Sequence, residues 1–223
     1  AATLEAIQVA GEVGQPAVVG WVLTIRARIL AAQGRPDEGR AAAQAALRIA
    51  ETGRIGAGFR FVYAALGFLE LGLDRTGAAI SELESVERLV EGTGLEDPVI
   101  VPWEPDLVEA YARQGRAGDA RRVLARLEGR AVRTASLVAP AAAARCRGMI
   151  DDDFEPAFTA ALALDDQRPM PFERARTLLA FGRRLHRARR RAEARERLRE
   201  ALGGFGQLGA RAWAEQAEAE LNA

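Results

Sequence analysis

Gly34-Arg35-Pro36-Asp37-Glu38-Gly39 decides the fold, because it reads as a helix stop followed at once by a helix start. Glycine supplies the left-handed residue that ends a helix, and proline fits the first turn of the next one. The chain repeats the pattern in Gly72-Leu73-Asp74-Arg75-Thr76-Gly77 and in Gly115-Arg116-Ala117-Gly118-Asp119-Ala120. Each pairs a helix-ending glycine with a small residue five positions later. Following that small position gives Gly39, Gly77, Ala120, Ala157 and Ala194, at steps of 38, 43, 37 and 37. A small side chain lets two antiparallel helices approach closely, so the period predicts stacked helical hairpins.

The apolar spacing outside these turns agrees. Val18, Val22, Ile25 and Ile29 recur at helical steps, as do Ala79, Leu83, Val86 and Val90, and Ala194, Leu198, Ala201 and Phe205. Further punctuation stands at Gly14-Gln15-Pro16, between Gly53 and Gly58, and between Pro169 and Pro171. The pattern predicts about twelve helices joined by short loops, as antiparallel neighbours require. The expectation is an all-α, right-handed α-solenoid of five to six hairpins in one continuous domain, residues 1–223. Residues 1–13 are expected to be the second helix of a repeat whose first helix is missing. Residues 210–222, with Trp213, Ala217 and Leu221 at four-residue steps, are expected to be a terminal helix covering the last repeat.

Composition limits function. Hydrophobic residues make up 49% and charged residues 28%, the balance of a globular domain. The 31 basic and 31 acidic residues cancel, whereas a nucleic-acid binder carries a basic excess. Every basic residue is arginine, which removes phosphate-loop and Schiff-base lysines and fits a GC-rich bacterial genome. One histidine, His186, leaves no catalytic triad and no multi-histidine metal centre. One cysteine, Cys146, permits no internal disulfide and reads as a small core residue. No apolar run spans a membrane and no signal peptide opens the chain, so the expectation is a piece of a longer cytoplasmic protein.

The small residue late in a first helix, the turn glycine and the two alanines of the second helix resemble tetratricopeptide repeats, best in Gly182, Leu185, Ala194, Leu198 and Ala201. Narrower words resemble the helical region of large ATP-binding LuxR-type transcription regulators. These are Trp103 to Ala110, Ala144 to Gly148, Pro171 to Leu179, Glu193 to Arg195 and Leu208 to Ala214. The resemblance implies an inducer-sensing and interaction segment between an ATPase module and a helix-turn-helix, with DNA contacted by that second module. A plain scaffold that docks a partner peptide remains the alternative reading.

Several local patterns have a sharp and a bland reading. The arginine run from Arg183 to Arg191 reads as a solvated helix end, with Glu193, Glu196 and Glu200 in reach, rather than a DNA contact. Gly204-Phe205-Gly206-Gln207-Leu208-Gly209 spells a dinucleotide motif, but a helix precedes it, so it reads as a turn between repeats. Asp151-Asp152-Asp153 lacks the spaced ligands of a calcium loop and reads as a helix cap. No catalytic, cofactor or metal residues are nominated. Projecting the repeat register places first helices along a concave groove and nominates Trp21, Arg28, Phe59, Trp103, Glu109, Arg176 and Arg183 as its lining. Such a lining suits a planar or anionic inducer, or a protein or peptide partner. An uncapped, apolar N-terminal end predicts self-association.

Overall fold

Seven of the turns between helices share one geometry. Among the described residues, positive φ occurs at Gly14, Gly34, Arg54, Asp74, Gly115, Arg189 and Gly209. The next residue's N–H donates to the carbonyl five positions back: Gln15 to Ala10, Arg35 to Leu30, Ile55 to Ala50, Arg75 to Glu70, Arg116 to Tyr111, Arg190 to Leu185 and Ala210 to Phe205, all at 2.9–3.0 Å. This six-to-one bond satisfies a carbonyl that the helix end would otherwise orphan. That next residue then serves as the N-cap, with ψ between 60° and 78° and no capping side chain. Three N-cap arginines grip an acid three residues on. Arg35 Nε lies 2.6 Å from Glu38, Arg116 Nε 2.8 Å from Asp119 and Arg190 Nε 2.7 Å from Glu193. The acid also meets the positive end of the helix macrodipole.

The computed structural model describes residues 2–91, 101–133, 136–167 and 170–223. It contains α1 (Ala2–Glu12), α2 (Pro16–Ala32), α3 (Pro36–Thr52), α4 (Gly56–Gly72), α5 (Thr76–Val90), α6 (Glu104–Arg113), α7 (Ala117–Ala131), α8 (Val138–Ile150), α9 (Glu155–Gln167), α10 (Pro171–Arg187), α11 (Arg191–Gln207) and α12 (Arg211–Asn222). No strand occurs among the described residues. The punctuation at Pro169 falls outside them. Contacts divide the chain into two compact units, Ala1–Leu95 and Glu96–Ala223.

In the first unit α1 packs on α2, and the hairpins α2–α3 and α4–α5 stack through α2 and α3 on α4. The core between them is Ala27, Leu30, Ala42, Ala43, Ala46, Val62 and Ala65, with Leu23, Leu47 and Leu66 around it. The second unit stacks the hairpins α6–α7, α8–α9 and α10–α11. There α8 packs on α6 and α10, and α12 on α11 and α10. Within each unit consecutive helices pair, and first helices also touch the next first helix. Each unit is therefore an all-α stack of tetratricopeptide-like hairpins.

Close approach within hairpins rests on a glycine facing a large side chain. A Cβ on Gly67 would lie 2.4 Å from Leu83 Cγ, on Gly182 2.6 Å from Leu198 Cγ, and on Gly148 2.8 Å from the Phe158 ring. The small residue early in the second helix is buried as expected at Gly39, Ala120, Ala157 and Ala194. It fails at Gly77, which is exposed while Ala79 is fully buried. The reason lies in the turn. Gly72 is still helical, and Asp74 at φ 60° makes the left-handed stop, so the register shifts by two.

Candidate functional site

Two places in the molecule differ from a plain helical core. The first is an apolar pocket inside the first unit, where α2, α3 and α4 converge. Its walls are Ala17, Gly20, Trp21 and Thr24 of α2, Ala46, Ile49 and Ala50 of α3, and Ile55, Ala57, Gly58, Phe61 and Val62 at the start of α4. The volume is about 160 Å³. Missing side chains shape it: a Cβ on Gly58 would sit 3.0 Å from Ala50 Cβ, and one on Gly20 would sit 3.4 Å from Ile49 Cγ2. The Thr24 hydroxyl donates to the Trp21 carbonyl at 2.7 Å, and no charged side chain lines the pocket. Trp21 stands at 50% exposure. It also belongs to an exposed apolar stripe on α2 formed with Val18, Ile25 and Ile29.

The second is a buried cluster of charge in the first-helix layer of the second unit. Arg176 Nη2 on α10 lies 2.7 Å from both Asp106 Oδ1 and Glu109 Oε2 on α6. Glu109 Oε1 is 3.6 Å from Arg113 and 3.9 Å from Arg183. Arg183 donates through Nε to Glu220 at 2.8 Å and through Nη2 to Gln216 at 2.9 Å, both on α12. Arg145 of α8 donates to Glu173 at 2.6 Å. Four arginines thus face four acids, and the planar guanidinium fork lets Arg176 and Arg183 each contact more than one of them. The Arg176 guanidinium also covers the Trp213 ring at 4.8 Å. Burial pushes the Glu109 carboxyl up, but Arg176, Arg113 and Arg183 outweigh it and hold it below the ordinary value. Burial likewise raises the Cys146 thiol to about 12, so it stays protonated and unreactive near neutrality.

The nominated residues therefore separate. Glu109, Arg176 and Arg183 come together, but in the buried cluster, where they hold one another. Trp103 is 1% exposed, with the Arg126 guanidinium 5.2 Å from its ring. Trp21 forms a pocket wall. Arg28 lies over the Phe68 ring at 4.0 Å and within 3.4 Å of the Ala64 carbonyl, outside the pocket. Phe59 is half-buried and lies outside the pocket lining, whereas Phe61, two residues on, belongs to it. Projecting first helices alone missed Ile49 and Ile55. The glycines at 53, 56 and 58, which thin the wall around the α3–α4 turn, are the signal that marks them.

The other patterns resolve locally. The arginine run is not simply a solvated helix end, because Arg183 is buried and Arg184 donates to the Asp151 carbonyl at 2.6 Å. Arg190 binds Glu155 as well as Glu193. Gly204 and Gly206 lie within α11, and Gly209 makes the turn at φ 64°. Asp151 is the residue that follows α8, in an extended conformation. No group of three or more His, Cys, Asp or Glu side chains that could hold a metal ion occurs among the described residues. No described helix is long and apolar enough to cross a membrane.

The class defined by this architecture is the helical-hairpin repeat protein. No protein-family model matches the chain, and no curated protein matches it. Among solved structures, the apo form of RapI is similar with a TM-score of 0.46 and 14% identity, over 86% of this chain. The chain spans 54% of the RapI chain.

Proposed function

We propose that this chain is a non-catalytic interaction and sensing module of a LuxR-type ATPase transcription regulator, acting in the cytoplasm. The observation that carries the sensing part is the open pocket between α2, α3 and α4, a concave apolar site ready to take a ligand. The regulator part is supported by the sequence words that resemble such proteins. Those words supply Trp103, Asp106, Glu109, Arg145, Cys146, Arg176 and Trp213, which build the buried layer of the second unit. A ligand in one unit acts on flanking modules only by binding two states of the protein unequally. Sequencing the source gene outward from both ends tests the reading. An upstream phosphate-loop motif and a downstream helix-turn-helix support it, and flanks lacking both refute it.

A second reading, a scaffold that docks a helix or a second copy of itself, is favoured by the exposed apolar stripe. Of the ten large hydrophobic residues exposed among the described ones, Leu4, Val9, Val13, Val18, Trp21, Ile25 and Ile29 belong to α1, α2 and their junction. An apolar surface of this kind marks an interaction site. The chain is expected to self-associate as its concentration rises in sedimentation velocity, and Ile25→Glu with Ile29→Glu to return it to monomer. A parent chain that stays monomeric at millimolar concentration contradicts this reading.

A further inference from the structure

The geometry points to a neutral aromatic molecule of one ring or two fused rings as the ligand of the pocket between α2, α3 and α4. This rests on the sensing reading above and gives it a chemical class. Size sets the first limit. An apolar cavity of about 150 Å³ takes benzene, and this pocket offers about 160 Å³. Polarity sets the second. The walls are alanine, glycine, isoleucine, valine, phenylalanine and tryptophan, and the single hydroxyl, on Thr24, already spends its proton on the Trp21 carbonyl. A carboxylate or ammonium would lose its hydration there and find no counter-charge in return, and a sugar would leave most of its hydroxyls without partners. The third limit is shape. Trp21 and Phe61 place ring faces and edges on the wall, and flat ligands pack against these better than branched ones.

The pocket can be filled without substituting a core residue. Ala17 and Ala57 line it and are exposed, so each sits at its mouth. Leucine at either position lays its side chain into the space, and both lie in helices that leucine favours. The core residues Ala27, Leu30, Ala43 and Ala46 stay as they are.

Fluorobenzene titrated into the whole chain and followed by fluorine NMR tests the proposal. Saturable binding is expected, displaced by indole and not by benzoate, which has a similar ring but carries a charge. Ala57→Leu is expected to weaken it at least about tenfold with the thermal melt unchanged, because the leucine side chain takes up open space that the ligand needs. Ala17→Leu serves if that variant fails to fold. On the unsubstituted chain, benzene protons are expected to show Overhauser contacts to the Ile49 and Ile55 methyls. Binding that does not saturate, that benzoate displaces as well as indole does, or that a folded filled variant leaves unchanged overturns the proposal. Its failure is separate from that of the regulator reading: flanks without the ATPase and helix-turn-helix modules refute the latter even where fluorobenzene binds.

Discussion

The first and second units use the same hairpins and turns and fill them with opposite chemistry. In the first, the layer of first helices is mostly apolar, apart from Arg28 over Phe68 and Glu70 paired with Arg40, and it ends in an open pocket and an exposed stripe that includes Trp21. In the second, the equivalent layer is charged, and its charges are spent on one another around Arg176. Backbone periodicity sets where helices lie, but it leaves the content of the layer between them open. A surface that satisfies its own polar groups has little left to offer a partner. An apolar surface open to water gains by covering itself. Under the proposed function the unit with fewer charges is the one that binds, although most of the residues nominated by aromatic and arginine content lie in the other.

The comparison can be broken most sharply at Arg176. Arg176→Leu leaves Asp106 and Glu109 buried without their main counter-charge and is expected to cost about 3–5 kcal/mol in chemical denaturation. Trp21→Ala, at a half-exposed site of the first unit, is expected to cost far less. Equal losses would show that the cluster is not what holds the second unit.

Acid separates the units next. The native Glu109 carboxyl titrates below its unfolded value of about 4.3, so the stability it provides is present above that pH and is lost as the pH falls through the native value. Asp165, in the same unit, opposes this. Burial, chiefly, raises its carboxyl, so charging it costs stability that protonation returns as the pH falls. Glu82 of the first unit behaves like Asp165, raised by burial and then by Glu70. Hydrogen exchange followed from pH 6 to pH 3 is expected to show protection falling first in α6 and α10, and α4 and α5 holding longer. Loss in the reverse order would contradict the assignment.

The smallest effect sharpens what the units share. Arg54 and Arg189 occupy, at φ 51° and 61°, the left-handed turn position that glycine fills at Gly14, Gly34, Gly115 and Gly209. Arg54→Gly and Arg189→Gly are each expected to stabilise by roughly 0.5–1 kcal/mol, read as a higher melting temperature. A gain in only one unit would mean that the two turns are not equivalent.

Much of the fold was legible because helix ends carry local chemistry. Gly34, Gly115 and Gly209 announced their turns, and the Ala79 to Val90 and Ala194 to Phe205 stripes are buried along their whole length. The register slipped at Gly77 because Asp74, and not Gly72, adopts the left-handed conformation, and aspartate's tolerance of it is only a statistical bias. The stripe Val18, Val22, Ile25 and Ile29 marked a helix correctly, yet Val22 alone of the four is buried. Periodicity reports that a face is apolar and is silent on whether anything covers it.

The sequence by itself determined the helices, most of their ends and the hairpin period, because hydrogen bonds, glycine stops and apolar spacing act between residues close in the chain. Only the tertiary structure decided that Asp106, Glu109, Glu173, Arg145, Arg176 and Arg183 neutralise one another, while Trp21 and Phe61 face an open space. Those outcomes depend on distances between residues far apart in sequence. There a shift of one side chain's length turns a charged surface into a buried pair, or a packed core into a pocket.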